Sequence, residues 1–180
     1  MLDPRWGPFL FDTSAESWLF RSNHPEVQAW IGDYLAHHQV HVSAVSVVER
    51  VRGFALLWRR APEQRRAHIE AQRVAYLSEV RQVWPIDAGI AVVGGEIMAL
   101  VPEPPTPPKR THRALESRQE RLARWHFDSL IAATALVRGM PLLHNNAADF
   151  EAIRGAIERS PTRFPQLGPL QLTRCTSVAQ

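Results

Sequence analysis

The sequence predicts an α/β fold, a three-layer α/β/α domain built on a largely parallel central sheet of about five strands. Two observations carry that reading. Short apolar runs rich in Val, Leu or Phe alternate with longer segments of helical period, and a β, α, β order belongs to domains whose parallel strands are joined by crossover helices. The 180 residues, 45% of them hydrophobic, suffice for one substantial core. A single domain is therefore expected over residues 1–175, with 176–180 a frayed tail.

The first strand is placed at Pro8 to Asp12, after which Thr13, Ser14 and Ala15 open a helix. Asn23 and Pro25 supply an N-cap and a helix-starting proline, and Val27, Trp30, Ile31, Tyr34 and Leu35 form the apolar stripe of a helix about three turns long. A second strand, Val40 to Ser43, leads into a helix from Val45 to Arg60. Pro62 restarts a helix toward Val83 that turns Ile69, Val74, Leu77 and Val80 inward and Arg65, Arg66, Arg73 and Arg81 outward. The two helices make a hairpin with an Arg-rich outer face. The third strand is Val83 to Ile86. Asp87 caps a helix through Ile90, Val93, Ile97 and Leu100, in which Gly94 and Gly95 allow close packing or a kink. That helix stops at Pro102 to Pro108, a stiff linker in which five of seven residues are proline. His112 to Arg124 is polar and charged, either an exposed helix or a lid. A tightly packing helix rich in small residues, DSLIAATALVRG, starts at Asp128. The fourth strand, Leu142 to His144, runs into the turn HNNAADF, and the fifth is Leu170 to Leu172.

No apolar run reaches the roughly 18 residues a membrane helix needs, and the N-terminus lacks the basic-then-apolar order of a secretory signal. A cytoplasmic protein is expected. Cys175 is the only cysteine, which excludes an intramolecular disulfide and a thiolate metal cluster. A metal would be held by oxygen or imidazole. Lys109 is the sole lysine among 21 cationic side chains. Arginine's planar fork suits phosphate, although genome composition produces the same bias. The cations cluster as Arg59, Arg60, Arg65 and Arg66, and again from Lys109 to Arg124, as ground for an RNA backbone or as solvated faces.

Four acidic residues stand out by their settings. Asp12 ends an apolar strand, and ligands in open α/β sheets bind beyond the carboxyl ends of strands; the alternative is a helix cap. Glu49 sits among Val45, Val47, Val48 and Val51 and needs a partner, which a capping box with Ser46, or Arg50 or Arg52, would also supply. Asp128 opens its helix and would serve equally as an N-cap. Asp149 follows the fourth strand in a turn where Asn146 and Asp149 are favoured for local reasons alone. Two of these carboxylates lie at or past strand ends and two on helices such strands feed, so a parallel sheet can bring all four to one edge. Their mutual repulsion would call for a cation. Oxygen ligation favours Mg²⁺ or Mn²⁺, and with it metal-activated water attacking a phosphodiester.

FLFDTS, VSAVSVVERVRG, DSLIAATALVRGMPLL and NNAADF resemble, in order and spacing, the four motifs of PIN-domain nucleases, especially the VapC-like toxins of bacterial toxin-antitoxin pairs. The resemblance spans about Phe9 to Phe150. It implies a parallel sheet flanked by helices and a metal-dependent endoribonuclease, with Asp12, Glu49, Asp128 and Asp149 holding Mg²⁺ or Mn²⁺ and Thr13, Ser46, Asn146 and His144 in support. It further implies the toxin of a type II toxin-antitoxin system, an RNA substrate, a homodimer, and a small antitoxin whose tail blocks the pocket. Two departures stand out. His144 occupies a place where the family usually has Thr or Ser, and the linker and charged insert at about 102–125 are longer than a compact member needs.

The remaining features point less sharply. Eight histidines occur without an HxxxH or HExxH spacing, so a zinc site is not expected; His126 and His144 neighbour the acids and would either contact phosphate or pack. Trp18 and Trp30 read as core, whereas Trp125 would stack on a base, meet a partner or pack on the linker. GIAVVGGE lacks phosphate-loop spacing. Two other functions fit parts of the pattern: a catalytically silent partner-binding domain, and an aspartyl-phosphate phosphatase using Asp12, although Ser14 stands where that chemistry needs a second Asp.

Overall fold

A computed structural model describes residues 2–79, 81–105, 117–164 and 166–178. Five short strands form one parallel sheet: β1 (Leu10–Phe11), β2 (His41–Ser43), β3 (Gln82–Trp84), β4 (Leu142–His144) and β5 (Leu172–Arg174), in the order β3-β2-β1-β4-β5. The third and fifth strands lie slightly off the sequence expectation, and β4 matches it. The helices are α1 (Thr13–Arg21), α2 (Pro25–His37), α3 (Ala44–Arg60), α4 (Glu63–Ser78), α5 (Ala88–Leu100), α6 (Arg118–Arg138) and α7 (Ala147–Arg159).

Strand alternation explains the three layers. Successive side chains leave a strand on opposite faces, and Leu10 and Leu142 enter a core with α5, α6 and α7 while Phe11 and Leu143 enter another with α1 and α2. Both faces are therefore covered, as parallel sheets require. From β1 the chain works outward through β2 to β3, then returns to place β4 on the other side of β1. The order reverses between β1 and β4. That gap, at the carboxyl ends of the strands, is where open α/β sheets leave room for a ligand.

Several local expectations are corrected. Helix α2 starts at Pro25 with His24, not Asn23, at its N-cap and no side-chain cap bond. Helix α4 stops at Ser78, and only a narrow seam of Phe54, Ile69 and Tyr76 joins it to α3. Val74 and Leu77 consequently stay 55% and 49% exposed. Arg81, beyond the helix, folds inward over the Tyr76 ring at 3.8 Å and pairs with Glu16 at 3.5 Å instead of facing solvent. Val80 lies outside the described residues.

Helix α6 begins ten residues before the expected start, at Arg118, where Ser117 and Glu120 form a capping box. Asp128 is thus in mid-helix rather than at a cap. Of the charged insert, 118–125 is the first part of this helix, while 106–116 lies outside the described residues. Trp125 is core, 1% exposed, its indole N–H donating to the Val101 carbonyl at 2.7 Å. Close packing of α5 on α6 needs Gly94: a Cβ there would stand 2.7 Å from Leu130 Cδ2. Nothing approaches Gly95. Of the tail expected to fray, 176–178 lie in a 3-10 turn over Cys175–Val178, with a bond from Leu2 N to the Ser177 carbonyl at 3.0 Å and Val178 buried, and 179–180 lie outside the described residues. Among the described residues, no helix is long and apolar enough to cross a membrane.

Candidate active site

Asp12 leaves β1 at the point where the sheet order reverses, and its own N–H is held by the Leu143 carbonyl of β4 at 2.9 Å. Its carboxylate does cap α1, accepting from the Ala15 N–H and from the Ser14 hydroxyl at 2.9 Å. The cap and the site are the same group. Only 3% exposed, Asp12 is pushed up to about 6 from an ordinary 3.8, chiefly by burial. Hydrogen bonds from Ala15, Ser14 and Asn145 oppose that rise, and Glu49 adds to it.

Glu49 reaches the same place from the second turn of α3, and its partner is Thr13, whose hydroxyl donates to Oε2 at 2.5 Å. Of the alternative partners from the sequence, Ser46 and Arg50 do not hold, whereas Arg52 does act on Glu49 electrostatically. Ser43, not Ser46, caps α3, and Ser46 is buried with its hydroxyl unbonded. Arg50 turns to Ser17 at 3.3 Å and to the rings of Phe54 and Tyr76. Burial raises the Glu49 carboxyl, against Thr13, Arg124 and Arg52.

Asp128 and Asp149 arrive from α6 and the first turn of α7, 6% and 4% exposed. Asn146 joins them. Although it stands at the N-cap of α7, it makes no cap bond; its amide nitrogen donates to Asp128 Oδ2 at 2.9 Å and to Asp149 Oδ2 at 2.5 Å. Burial lifts the Asp128 carboxyl well above the ordinary range, and Asp149, Asp12 and Glu49, in that order, lift it further, with Arg124 opposing. The four acids expected to converge therefore act on one another electrostatically.

A cavity of about 290 Å³ opens on three of these acids, lined by Asp12, Glu49, Asp128, Asn146, Arg50 and Arg124 among others, with Asp149 reached through Asn146. Arg124 is the residue that sequence reasoning left in a general basic patch. Its signal was available: four residues before Asp128 on one helix, it shares that residue's face. Ser14 and Ser17, three apart on α1, line the cavity for the same reason.

His144 goes elsewhere. It is fully buried, packs edge-on against Phe150 at 5.2 Å, and borders a separate cavity with Leu2, Glu151 and Arg174. Burial pushes the ring down to about 4 from 6.5, with Arg174 and Arg154 adding to the effect and the Asn146 backbone opposing it, and neither ring nitrogen makes a hydrogen bond of good geometry. The structure does not bring it into the acid cavity. His126 is only partly buried on α6 and makes no ring contact among those described.

An oxygen-only set of four mutually repelling carboxylates fits a hard divalent cation. Among the described residues, no three of His, Cys, Asp or Glu are gathered closely enough to form a metal-holding group.

The sequence profile of the PIN domain matches residues 9–156. The chain belongs to the PIN domain family. Its fold is similar to that of VapBC2 from Rickettsia felis, solved bound to a DNA fragment from their promoter, at 13% identity over 92% of this chain and 97% of that one, TM-score 0.57. DNA-bound VapBC from Salmonella typhimurium is similar at 14% identity over 93% and 97%, TM-score 0.56. FitAcB from Neisseria gonorrhoeae is similar at 21% identity over 81% and 93%, TM-score 0.55. At such identities the likeness is one of fold. No curated protein matches the sequence significantly. In this PIN domain the acid cavity lies wholly within the matched region.

Proposed function

We propose that this PIN domain is a metal-dependent endoribonuclease, the toxin of a type II toxin-antitoxin system, working in the cytoplasm as a homodimer restrained by a small antitoxin. PIN domains are typically nucleases, and structures of similar fold carry paired names such as VapBC and FitAB. The observation that carries the reading is the Asp128 carboxyl, buried at the reversal of strand order and raised by three acids around it. Such a cluster is costly to keep charged without a cation.

Asp12, Glu49, Asp128 and Asp149 would hold Mg²⁺ or Mn²⁺, which when bound supplies an activated water and neutralises charge on a phosphate. Side-chain movement would have to draw these carboxylates together, since no three of them are gathered into a metal-holding group. Thr13 orients Glu49, and Asn146 fixes Asp128 against Asp149. Arg124 and Arg50, on the cavity wall, offer guanidinium forks to the RNA backbone.

The test is cleavage of RNA in Mg²⁺ or Mn²⁺. Activity should vanish in EDTA and fall by roughly 10²–10³-fold in Asp12→Asn and Asp128→Asn. Full activity in either variant, or in EDTA, removes the site assignment. Calorimetry with Mn²⁺ separates the catalytically silent reading: a folded chain that binds no Mn²⁺ at millimolar concentration is not this nuclease.

A further inference from the structure

Beside the acid cavity lies a second one, of about 200 Å³, enclosed by α1, α3 and α4. The two share Ser17 and Arg50 as common wall, and these two side chains are bonded to each other at 3.3 Å. What sets the second cavity apart is its polar inventory. Glu16 is 4% exposed, yet its Oε2 has no hydrogen-bond partner, because Arg81 reaches only Oε1. The buried Tyr76 hydroxyl lacks a hydrogen bond of good geometry, although Arg81, over its ring at 3.8 Å, also bears on its oxygen. Arg50 Nε is buried and unbonded as well. Buried polar groups are ordinarily satisfied, so two unbonded groups and a poorly bonded hydroxyl around one cavity mark a place where a ligand supplies the missing bonds. The walls between them are aromatic: Phe20, Phe54 and Tyr76.

We infer that this cavity is a subsite for a single unstacked nucleobase of the RNA strand being cut, adjacent to the scissile phosphate. The inference rests on the nuclease reading of the acid cavity. Sequence-specific recognition of single-stranded RNA stacks bases on aromatic rings or guanidinium planes and reads their edges by hydrogen bonds. Here Glu16 Oε2 accepts an N–H from the base edge, the Tyr76 hydroxyl and Arg50 Nε serve its acceptors, and the Phe20 ring provides stacking surface. Arg50, present in both cavities, connects base recognition to the phosphate.

The experiment maps cut sites of the full-length protein with Mn²⁺ on a random-sequence single-stranded RNA pool, for the wild type, Tyr76→Phe and Glu16→Gln. Tyr76→Phe keeps the ring and removes one hydroxyl, so it reports even if Glu16→Gln fails to fold. The wild type should prefer one base at a position flanking the cut. Glu16→Gln should lower that preference about tenfold, the scale of one hydrogen bond involving a charged group, and Tyr76→Phe about fivefold, the scale of a neutral one. In EDTA, binding of short oligonucleotides scanned with an abasic nucleotide should lose affinity at that same position. A wild type that cleaves without base preference, or variants that keep it in full, overturns the subsite alone and leaves the cavity to a peptide side chain. A wild type that neither cuts nor binds RNA overturns the nuclease reading, and the subsite with it.

Discussion

Asp12 and His144 stand at the ends of neighbouring strands, both almost wholly buried, and burial treats them oppositely in charge but alike in outcome. It raises Asp12 to about 6 and lowers His144 to about 4, in each case toward the neutral form. The surroundings differ. Asp12 is met by backbone N–H groups, a hydroxyl and further carboxylates, and it faces the acid cavity. His144 meets an aromatic edge, and its nitrogens have at most a poorly aligned bond to the Asn146 backbone. One residue has an environment prepared for charge that something else must complete, and the other an environment that keeps charge out. The comparison teaches that a polar residue at a strand end is functional by virtue of its neighbours, not of its position.

The largest expected effect is on cleavage. Asp128→Asn, at the centre of the acid network, should lower the rate by roughly 10²–10³-fold, the scale of losing one group arranged around developing charge. An equal loss in a His144 variant with intact fold would break the distinction between the two strand ends.

Next comes metal-free stability. Asp12 has a folded pKa of about 6 against an ordinary 3.8, so the folded state binds the proton more tightly. Its contribution is complete below the unfolded value and is lost as pH rises through the folded one. The loss is about 3 kcal/mol by pH 7. Asp128 and Glu49 are raised in the same direction. Denaturant midpoints in EDTA should therefore fall as pH rises from 4 to 7, and Asp12→Asn, whose amide oxygen still caps α1, should be the more stable protein at pH 7. Excess Mn²⁺ should reverse the ranking.

A smaller effect falls on Asn146. Asn146→Ala removes the donor between Asp128 and Asp149, and Mn²⁺ affinity measured by calorimetry should weaken about 10–100-fold. An unchanged affinity would mean the two acids do not share an ion.

Much of this was legible in the sequence, and the limits have physical causes. The strand-to-acid transitions at Asp12 and Asp149, and the run of small residues after Asp128, reflect local chemistry and are visible in one dimension. Asp128 as a cap was misplaced because Ser117 and Glu120, eleven and eight residues earlier, nucleate the helix with a capping box of their own. The inward turn of Arg81 was invisible because it depends on Tyr76 and on Glu16, a residue more than sixty positions away. Arg50 looked like a partner for its neighbour Glu49, but adjacent residues on a helix face different ways. Thr13, from another helix, takes that role. Side-chain pairing across elements is what a single sequence does not disclose.

The smallest effect concerns His144 itself. Its folded value lies below the ordinary 6.5, so its contribution to stability is complete above that pH and is lost as pH falls through the folded value of about 4. This opposes the trend from the acids over the same interval, so the wild-type profile in EDTA is flatter than either group alone would make it. His144→Leu, which keeps an apolar side chain against Phe150, removes the opposing part. Its stability should fall more steeply than the wild type's between pH 4 and 6.5, while Asp12→Asn should be less steep. If both variants shift the profile in the same direction, His144 is not held neutral by burial, and the contrast between the two strand ends fails at its source.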